Sequence, residues 1–135
     1  MRKCFLLLFI IFLNSCDIHT ESYDTKEAAI DDELFERGWL PELIPNSATK
    51  IVIRTDGEAN LADGTFHYSP SEHEDFVKKL SEYKGGLSPV PRWDGEVSEV
   101  TGENAKSYYY SRGAKVWVFI CKDKSFARFM LWSKR

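Results

Sequence analysis

The chain has 135 residues, with 18 Lys and Arg against 21 Asp and Glu, so its formal net charge is −3. This length suits one domain with a moderate hydrophobic core, which does not require structural disulfides. An acidic chain is repelled by the phosphate backbone, and nucleic acid is therefore excluded as the expected partner.

The first fifteen residues have the layout of a secretory signal peptide. Arg2 and Lys3 are positively charged, and the ten residues from 4 to 13 carry no charge. Ten helical residues cover about 15 Å, whereas the hydrocarbon core of a bilayer is about 30 Å thick, so this run is too short for a stable span. We predict that residues 1–15 are removed after export.

Residues 13–16, Leu-Asn-Ser-Cys, resemble the lipobox of bacterial lipoproteins. The resemblance implies that Cys16 receives a diacylglyceryl group and that cleavage occurs directly before it. Asn14 departs from the pattern, because lipoboxes usually carry a small or aliphatic residue there. Two or three acyl chains anchor a protein stably, since each buried methylene contributes about 0.8 kcal/mol. The alternative is an ordinary signal peptide with a chance cysteine near its end.

Asp17 directly follows the predicted lipidation site. In enterobacteria-like hosts, Asp at this position resembles the sorting signal that retains a lipoprotein in the inner membrane. We expect the periplasmic face of the inner membrane, with the outer membrane as the alternative. The signal peptide removes two of the 18 basic residues and no acid, which leaves 16 against 21 and a net charge of −5. Such an acidic domain is expected to gain nothing from the surface electrostatics of an anionic membrane.

Residues 16–24 are predicted to be the lipidated cysteine and a polar tether, and residues 25–135 to form a single domain. Thr25 is expected to cap a first helix, in which apolar residues recur at helical spacing. This helix is expected to end at Gly38. The acidic residues of this helix are interpreted as a solvated face, and an acidic docking surface is the alternative.

The next segment, 39–45, contains two prolines and is expected to pack its apolar side chains against the core. A β-branched run predicts a strand over residues 48–55. The turn-rich stretch 56–64 and the alternating residues 65–68 then predict a hairpin with a long loop.

A second helix is predicted to begin at Pro70, because Ser71 and Glu74 have the spacing of a capping box. It is expected to present an apolar stripe and to end at the glycine pair 85–86. Residues 87–104 hold two prolines, two glycines and Trp93, and are interpreted as a long surface loop.

The carboxyl-terminal third has the strongest β pattern. Strands are predicted over residues 107–110, 115–122 and 126–132, and the second is apolar on both faces, as expected of a central strand. The predicted fold is α+β: an antiparallel sheet of about five strands with two helices packed on one face.

The amino-terminal part of the predicted domain resembles the YbbD head-domain family of small bacterial lipoproteins. The resemblance is carried by Tyr-Asp-Thr at residues 23–25, Phe-Glu-Arg-Gly-Trp-Leu-Pro at 35–41 and Leu-Ile-Pro-Asn-Ser-Ala at 43–48, followed by Asp56, Asn60 and Phe66. It implies an exported, lipid-anchored domain of unknown activity, and it supplies no catalytic residues.

No pattern in the sequence indicates a reaction centre. Cys121 has no partner cysteine in the mature chain and is expected to be buried as a small apolar residue, with a reactive thiol as the alternative. His67 and His73 lack the spacing of metal ligands, and Asp56 to Asp63 lacks the calcium-loop pattern. We therefore expect no catalytic residue, no metal and no cofactor, although acids that meet in space could hydrolyse a glycan.

Aromatic side chains are the remaining candidates for contact with a ligand or partner: Trp93, Tyr108 and Tyr110. Their simpler interpretation is core and cross-strand packing. The leading hypothesis is a non-enzymatic envelope lipoprotein that binds another protein, for example as an immunity or inhibitor protein. The alternative is a ligand-binding or glycan-binding module, or a small hydrolase, that uses the loop containing Trp93.

Overall fold

The computed structural model describes residues 18–84 and 105–133, and these form one antiparallel sheet of seven strands. Two short α-helices are present in the same residues, α1 (Lys26–Asp31) and α2 (His73–Lys78). The strands in chain order are β1 (Ile18–Thr25), β2 (Thr49–Asp56), β3 (Leu61–His67), β4 (Ser81–Glu82), β5 (Lys106–Arg112), β6 (Lys115–Cys121) and β7 (Phe126–Ser133).

The strand order across the sheet is β1-β2-β3-β7-β6-β5-β4. The antiparallel sheet is confirmed, but the expected number of five strands is wrong for the described residues, because β1 and β4 are added at the two edges. The helices are also shorter than predicted, with six residues each. The predicted layer of two long helices is therefore replaced by short helices and irregular chain.

The prediction of a tether without a fold is wrong from Ile18 onward. Residues 18–25 pair with β2 over its whole length, from Ile18 opposite Asp56 to Thr25 opposite Thr49. The Arg37 guanidinium also bonds the Glu21 carboxylate at 3.2 and 3.3 Å, which ties the strand to the chain beyond α1. Backbone pairing thus overrides the polar composition of this segment.

Helix α1 begins as predicted, because the Thr25 side chain accepts a hydrogen bond from Ala28 N at 3.1 Å. It does not continue to Gly38. Glu33 has a φ of +60°, and the bonds from Glu33 N to Ile30 O and from Leu34 N to Ala29 O complete a Schellman motif. The helix therefore ends after six residues, fewer than two turns, with an acid in the conformation that glycine usually supplies.

The predicted capping box of the second helix is also wrong. Residues Pro70–Glu72 form a 3-10 turn, and Glu72, not Ser71, occupies the N-cap of α2 without a side-chain cap bond. The Ser71 hydroxyl instead bonds the Ser69 hydroxyl at 2.9 Å. Helix α2 ends at Lys78, well before the glycine pair.

The stretch predicted as a long turn contains the first half of β3. Gly64 lies inside this strand opposite Ile53 of β2 and Phe129 of β7. A Cβ atom on Gly64 would lie 2.0 Å from the Val52 carbonyl oxygen, so the close approach of β2 requires glycine here. The glycine therefore marks close strand packing and not a turn.

Strand β6 is the central strand that its sequence predicted. Trp117, Phe119 and Cys121 belong to the main core on one face of the sheet, and Val116, Val118 and Ile120 belong to a second cluster on the other. The main core also receives Ala29 of α1, Phe76 of α2 and four apolar residues of the irregular chain, Leu34, Phe35, Leu40 and Ile44.

The strand registers define two ends of the sheet. At the first, which we call the Ile18 end, β1 begins, β2 ends, β6 begins at Lys115 opposite Ser133, and β5 ends at Arg112. At the second, the Thr25 end, β1 ends, β2 begins, and the chain leaves β3 toward α2.

Candidate functional site

The segment Gly38–Asn46 crosses one side of the molecule without regular secondary structure, because its prolines cannot join a ladder of backbone bonds. Buried carbonyls need a donor, and here side chains supply it. Lys115 Nζ donates to Gly38 O at 2.8 Å, and Trp117 Nε1 donates to Trp39 O at 3.0 Å. Near the other end of the segment, the donor is Lys26.

Lys26 is a buried cation with only 8% of its surface exposed. Its Nζ donates to Glu42 O at 2.7 Å, to Ile44 O at 2.9 Å and to Asn46 Oδ1 at 3.2 Å. These three acceptors match the three protons of an ammonium group. Burial lowers the pKa of Lys26, and its Nζ also lies 5.7 Å from the centre of the Phe35 ring. The ammonium is thus fully used inside the fold.

A cavity of about 200 Å³ opens beside this lysine, between the segment that carries its acceptors and helix α2. Cavities that hold small-molecule ligands usually measure about 300 to 1,000 Å³, so this one suits a single side chain better than a whole ligand. Its lining includes Lys26, Phe76, Asn46 and the charged residues Glu42, Glu72, Asp75 and Lys79.

The charges of this pocket are unequal. The lining has three carboxylates, those of Glu42, Glu72 and Asp75, and only two ammonium groups. One of these, the Lys26 ammonium, already donates its three hydrogen bonds to acceptors within the fold. One oxygen of Glu72 accepts a bond from Ser47 N at 3.0 Å, which fixes α2 against the irregular segment. The arrangement therefore favours a positively charged group at the mouth of the pocket.

A buried polar cluster lies beside the pocket at the Thr25 end. The Tyr68 hydroxyl lies 2.8 Å from His73 Nδ1 and 3.7 Å from Cys121 Sγ, and the Tyr68 and His73 rings are stacked with centres 5.9 Å apart. Burial raises the pKa of Tyr68 and of Cys121 and lowers the pKa of His73. Each group is therefore held in its neutral form.

This cluster has the residue types of a nucleophile and a base, but the wrong electrostatics. A reactive cysteine needs a lowered pKa and some exposure, whereas Cys121 is only 5% exposed. The prediction that Cys121 is a buried, unpaired thiol is confirmed. His73 is a buried packing histidine whose Nδ1 bonds the Tyr68 hydroxyl.

The predicted contact residues are placed as follows. Tyr108 and Tyr110 are half-buried on the same face of β5 and pack against the main core, where Tyr110 lies 5.9 Å from the Trp117 ring. Burial also raises the pKa of Tyr108. Trp93, Cys16 and Asp17 lie outside the described residues, as does the predicted loop 87–104.

A second concentration of aromatic and cationic groups lies at the Ile18 end. The Lys115 Nζ lies 5.8 Å from the centre of the half-buried Trp39 ring, and the exposed Arg112 guanidinium lies 5.6 Å from the Trp117 ring. Burial lowers the pKa of Lys115. Gly38 has a φ of +79°, which brings its carbonyl to this lysine.

Sequence reasoning missed the pocket and its buried lysine. Lys26 follows the capping residue Thr25 in a helix rich in acids, and such a position indicates an exposed cation. The acceptors that bury it lie 16 to 20 residues further along the chain, in a segment whose path no local pattern predicts. Two prolines near those acceptors were the available signal, because they leave carbonyls without backbone partners.

In residues 18–84 and 105–133, which the structure describes, no group of three or more His, Cys, Asp and Glu is placed to hold a metal ion. Within the same ranges, no helix has both the length and the apolar character needed to cross a membrane.

The fold and pocket define an antiparallel, sheet-rich domain with a small polar cavity. Residues 17–67 match the model of a family described as the YbbD head domain, so the resemblance indicated by the sequence motifs is confirmed over β1, α1, β2 and β3. Comparison with curated proteins and with solved structures found no match.

Proposed function

We propose that the chain is a lipid-anchored envelope protein whose domain binds another protein through the pocket beside Lys26. The observation that carries the proposal is a cavity of about 200 Å³ whose lining includes the carboxylates of Glu42, Glu72 and Asp75. A cavity of this size accepts one side chain of a partner, and its charge favours Lys or Arg.

The sequence supports the location. The proposed location is the periplasmic face of the inner membrane, with the outer membrane as the alternative. The signal-peptide layout of residues 1–15, the lipobox that ends at Cys16 and the Asp17 that follows it support this proposal. The lipid attaches the chain to the membrane, and the domain is left free to bind a second envelope protein.

Binding without a reaction suits the chemistry of the buried groups. Cys121, His73 and Tyr68 are held neutral by burial, and the Lys26 ammonium is used to hold the irregular segment. A specific version of the proposal is an immunity or inhibitor protein for an exported toxin, because such a protein needs a complementary surface and no catalytic group.

Charge reversal at the mouth of the pocket tests this function. Asp75 is exposed on α2 and lines the pocket, whereas Asp31 is exposed at the end of α1 and does not line it. We expect Asp75→Lys to lower recovery of the partner from solubilised membranes about tenfold, which corresponds to about 1.4 kcal/mol of binding free energy. Asp31→Lys makes the same charge change and should leave recovery unaltered.

The measurement is stoichiometric co-purification of the full-length lipidated chain after chemical cross-linking in cells. Loss of the partner only with Asp75→Lys supports the pocket as the binding site. Equal recovery with both variants, or the absence of any stoichiometric partner, contradicts the proposal.

A further inference from the structure

The first strand begins very close to the predicted lipid anchor. Only Asp17 separates Cys16 from Ile18, the first residue of β1. Two steps of an extended chain span at most about 7 Å between Cα atoms. If Cys16 carries lipid, as the proposed function requires, the Ile18 end of the sheet cannot move far from the membrane surface.

The sheet then has a defined near end and far end. Strand β1 has eight residues, and an extended strand rises about 3.4 Å per residue, so the Thr25 end lies about 24 Å beyond the Ile18 end along the strand. A flexible tether of eight residues would have allowed either end to face the membrane. The paired strand does not.

We propose that the Ile18 end of the sheet rests on the lipid surface, with the turn between β5 and β6 in contact with anionic phospholipid headgroups. The pocket at the Thr25 end then points into the periplasm. The inference rests on the proposed lipidation of Cys16, and it adds a membrane-contact surface and an orientation.

Charge distinguishes the two corners of the Ile18 end. Near β1 the chain carries Asp56 and Glu58, whereas the turn between β5 and β6 is flanked by Arg112 and Lys115. Among the described residues, neither of these cations forms a salt bridge. The basic corner lies five strand positions from β1, or about 24 Å at 4.8 Å per step, so anionic lipid attracts a part of the domain that the anchor itself does not hold.

The side chains at this corner have the chemistry of a membrane interface. Lys115 has three N–H donors. One donates a hydrogen bond to Gly38 O, and the other two can donate to phosphate oxygens. Arg112 is exposed, and its guanidinium lies over the Trp117 ring, so the edges of the group remain accessible. Trp39 and Tyr110, both half-buried beside these cations, are residue types enriched at headgroup level. At the opposite corner, Ile18 is an apolar residue with 50% of its surface exposed.

Two exposed positions at the ends of the same strand provide a matched pair of probes. Ala114 lies just before β6, at the Ile18 end, and Lys122 lies just after it, at the Thr25 end. Ala114→Cys and Lys122→Cys are each labelled with a fluorophore in the full-length lipidated protein, in a Cys121→Ser background. The protein is reconstituted in phosphatidylglycerol–phosphatidylcholine vesicles that contain a lipid with a nitroxide on its headgroup.

We expect quenching of the Ala114 label at least threefold stronger than quenching of the Lys122 label. Equal quenching, or stronger quenching at Lys122, overturns the orientation. Mass spectrometry of the same samples first establishes the lipid on Cys16. A chain without lipid contradicts the proposed function, whereas a lipidated chain with equal quenching contradicts only the orientation.

Charge reversal then tests the headgroup contact itself. Arg112→Glu should reduce quenching of the Ala114 label about twofold in the anionic vesicles and change it little in pure phosphatidylcholine. Lys122→Glu, measured with the same Ala114 label, makes an identical charge change at the far end and should have no effect. If Arg112→Glu leaves quenching unaltered in anionic vesicles, the basic corner does not contact lipid and that part of the proposal is wrong.

Discussion

Lys26 and Lys115 donate to the same irregular segment from opposite ends of the molecule, but they are used differently. Lys26, near the Thr25 end, is 8% exposed and has three acceptors. Lys115, at the Ile18 end, is half-buried and has one, Gly38 O. The Lys26 ammonium is thus saturated with acceptors inside the fold, whereas Lys115 donates to a single carbonyl of the segment.

The difference explains how an acidic chain can contain both kinds of surface. At the Thr25 end the three carboxylates that line the pocket, those of Glu42, Glu72 and Asp75, outnumber its two ammonium groups. At the Ile18 end Arg112 and Lys115 have no carboxylate partner among the described residues. The net charge of the chain therefore describes neither the pocket nor the turn between β5 and β6.

Removing the predicted lipidation site, Cys16, should have the largest effect, because it would detach both ends of the sheet from the membrane. We expect Cys16→Ala to abolish membrane association, because the acyl chains supply most of the binding free energy and one basic corner supplies only about 1 kcal/mol per cation. Membrane fractionation after a high-salt wash measures the change. If the variant still sediments with membranes, lipid on Cys16 is not what distinguishes the two ends.

Replacing the buried lysine should have the next largest effect. We expect Lys26→Met to lower the free energy of unfolding by about 3 kcal/mol, because it leaves buried carbonyl oxygens without their donor while preserving side-chain length. Urea denaturation followed by circular dichroism measures it. Lys78→Met, at an exposed position on α2, is the matched control and should change stability by less than about 0.5 kcal/mol. Equal effects from the two variants would show that Lys26 is not structural.

Local patterns predicted the parts of the fold that depend on nearby residues. Apolar side chains on both faces of residues 115–122 indicated a central strand, and Thr25 before a helical pattern indicated a cap. The burial of Cys121 followed from the same strand pattern. These features need only the periodicity of a short segment.

Long-range contacts explain what could not be predicted. Strand β1 is polar, and its pairing depends on β2 about thirty residues away along the chain. The early end of α1 depends on Glu33 adopting a positive φ, which lets Leu34 enter the main core. The pocket depends on the path of the segment that supplies acceptors to Lys26. None of these has a signature within a single window of sequence.

Acidification should lower the stability of the folded domain through His73, which lies at the Thr25 end. Burial lowers the pKa of His73 in the folded protein below its ordinary value of 6.5. The positive charges of Lys124 and Lys106 lower this pKa further, whereas the negative charges of Glu74 and Asp123 oppose the decrease. As the pH falls below 6.5, the unfolded chain binds this proton more readily, so the free energy of unfolding decreases, by at most about 1.4 kcal/mol per pH unit for one proton. Above pH 6.5 the contribution of His73 is fully present.

Denaturation series between pH 7.5 and pH 5.5 check this dependence. The decrease should be smaller in His73→Gln, and it should persist in His19→Gln, which replaces an exposed imidazole on β1. An identical pH profile for His73→Gln and the unmodified protein would show that the stacked pair of His73 and Tyr68 does not respond to acid in this range.

The smallest expected effect distinguishes a structural lysine from one that is available to a ligand. Lys115→Met should lower the free energy of unfolding by only about 1 kcal/mol, because a half-buried ammonium with one acceptor loses one charge-assisted bond and the methionine still covers Trp39. In the lipidated protein, the same variant should weaken contact of the Ile18 end with vesicles that contain phosphatidylglycerol. Reduced quenching of the fluorophore at position 114 by the nitroxide headgroup lipid measures this change. A stability loss as large as that of Lys26→Met, with quenching unaltered, would mean that both lysines serve only to hold the irregular segment and that the two ends differ in exposure but not in role.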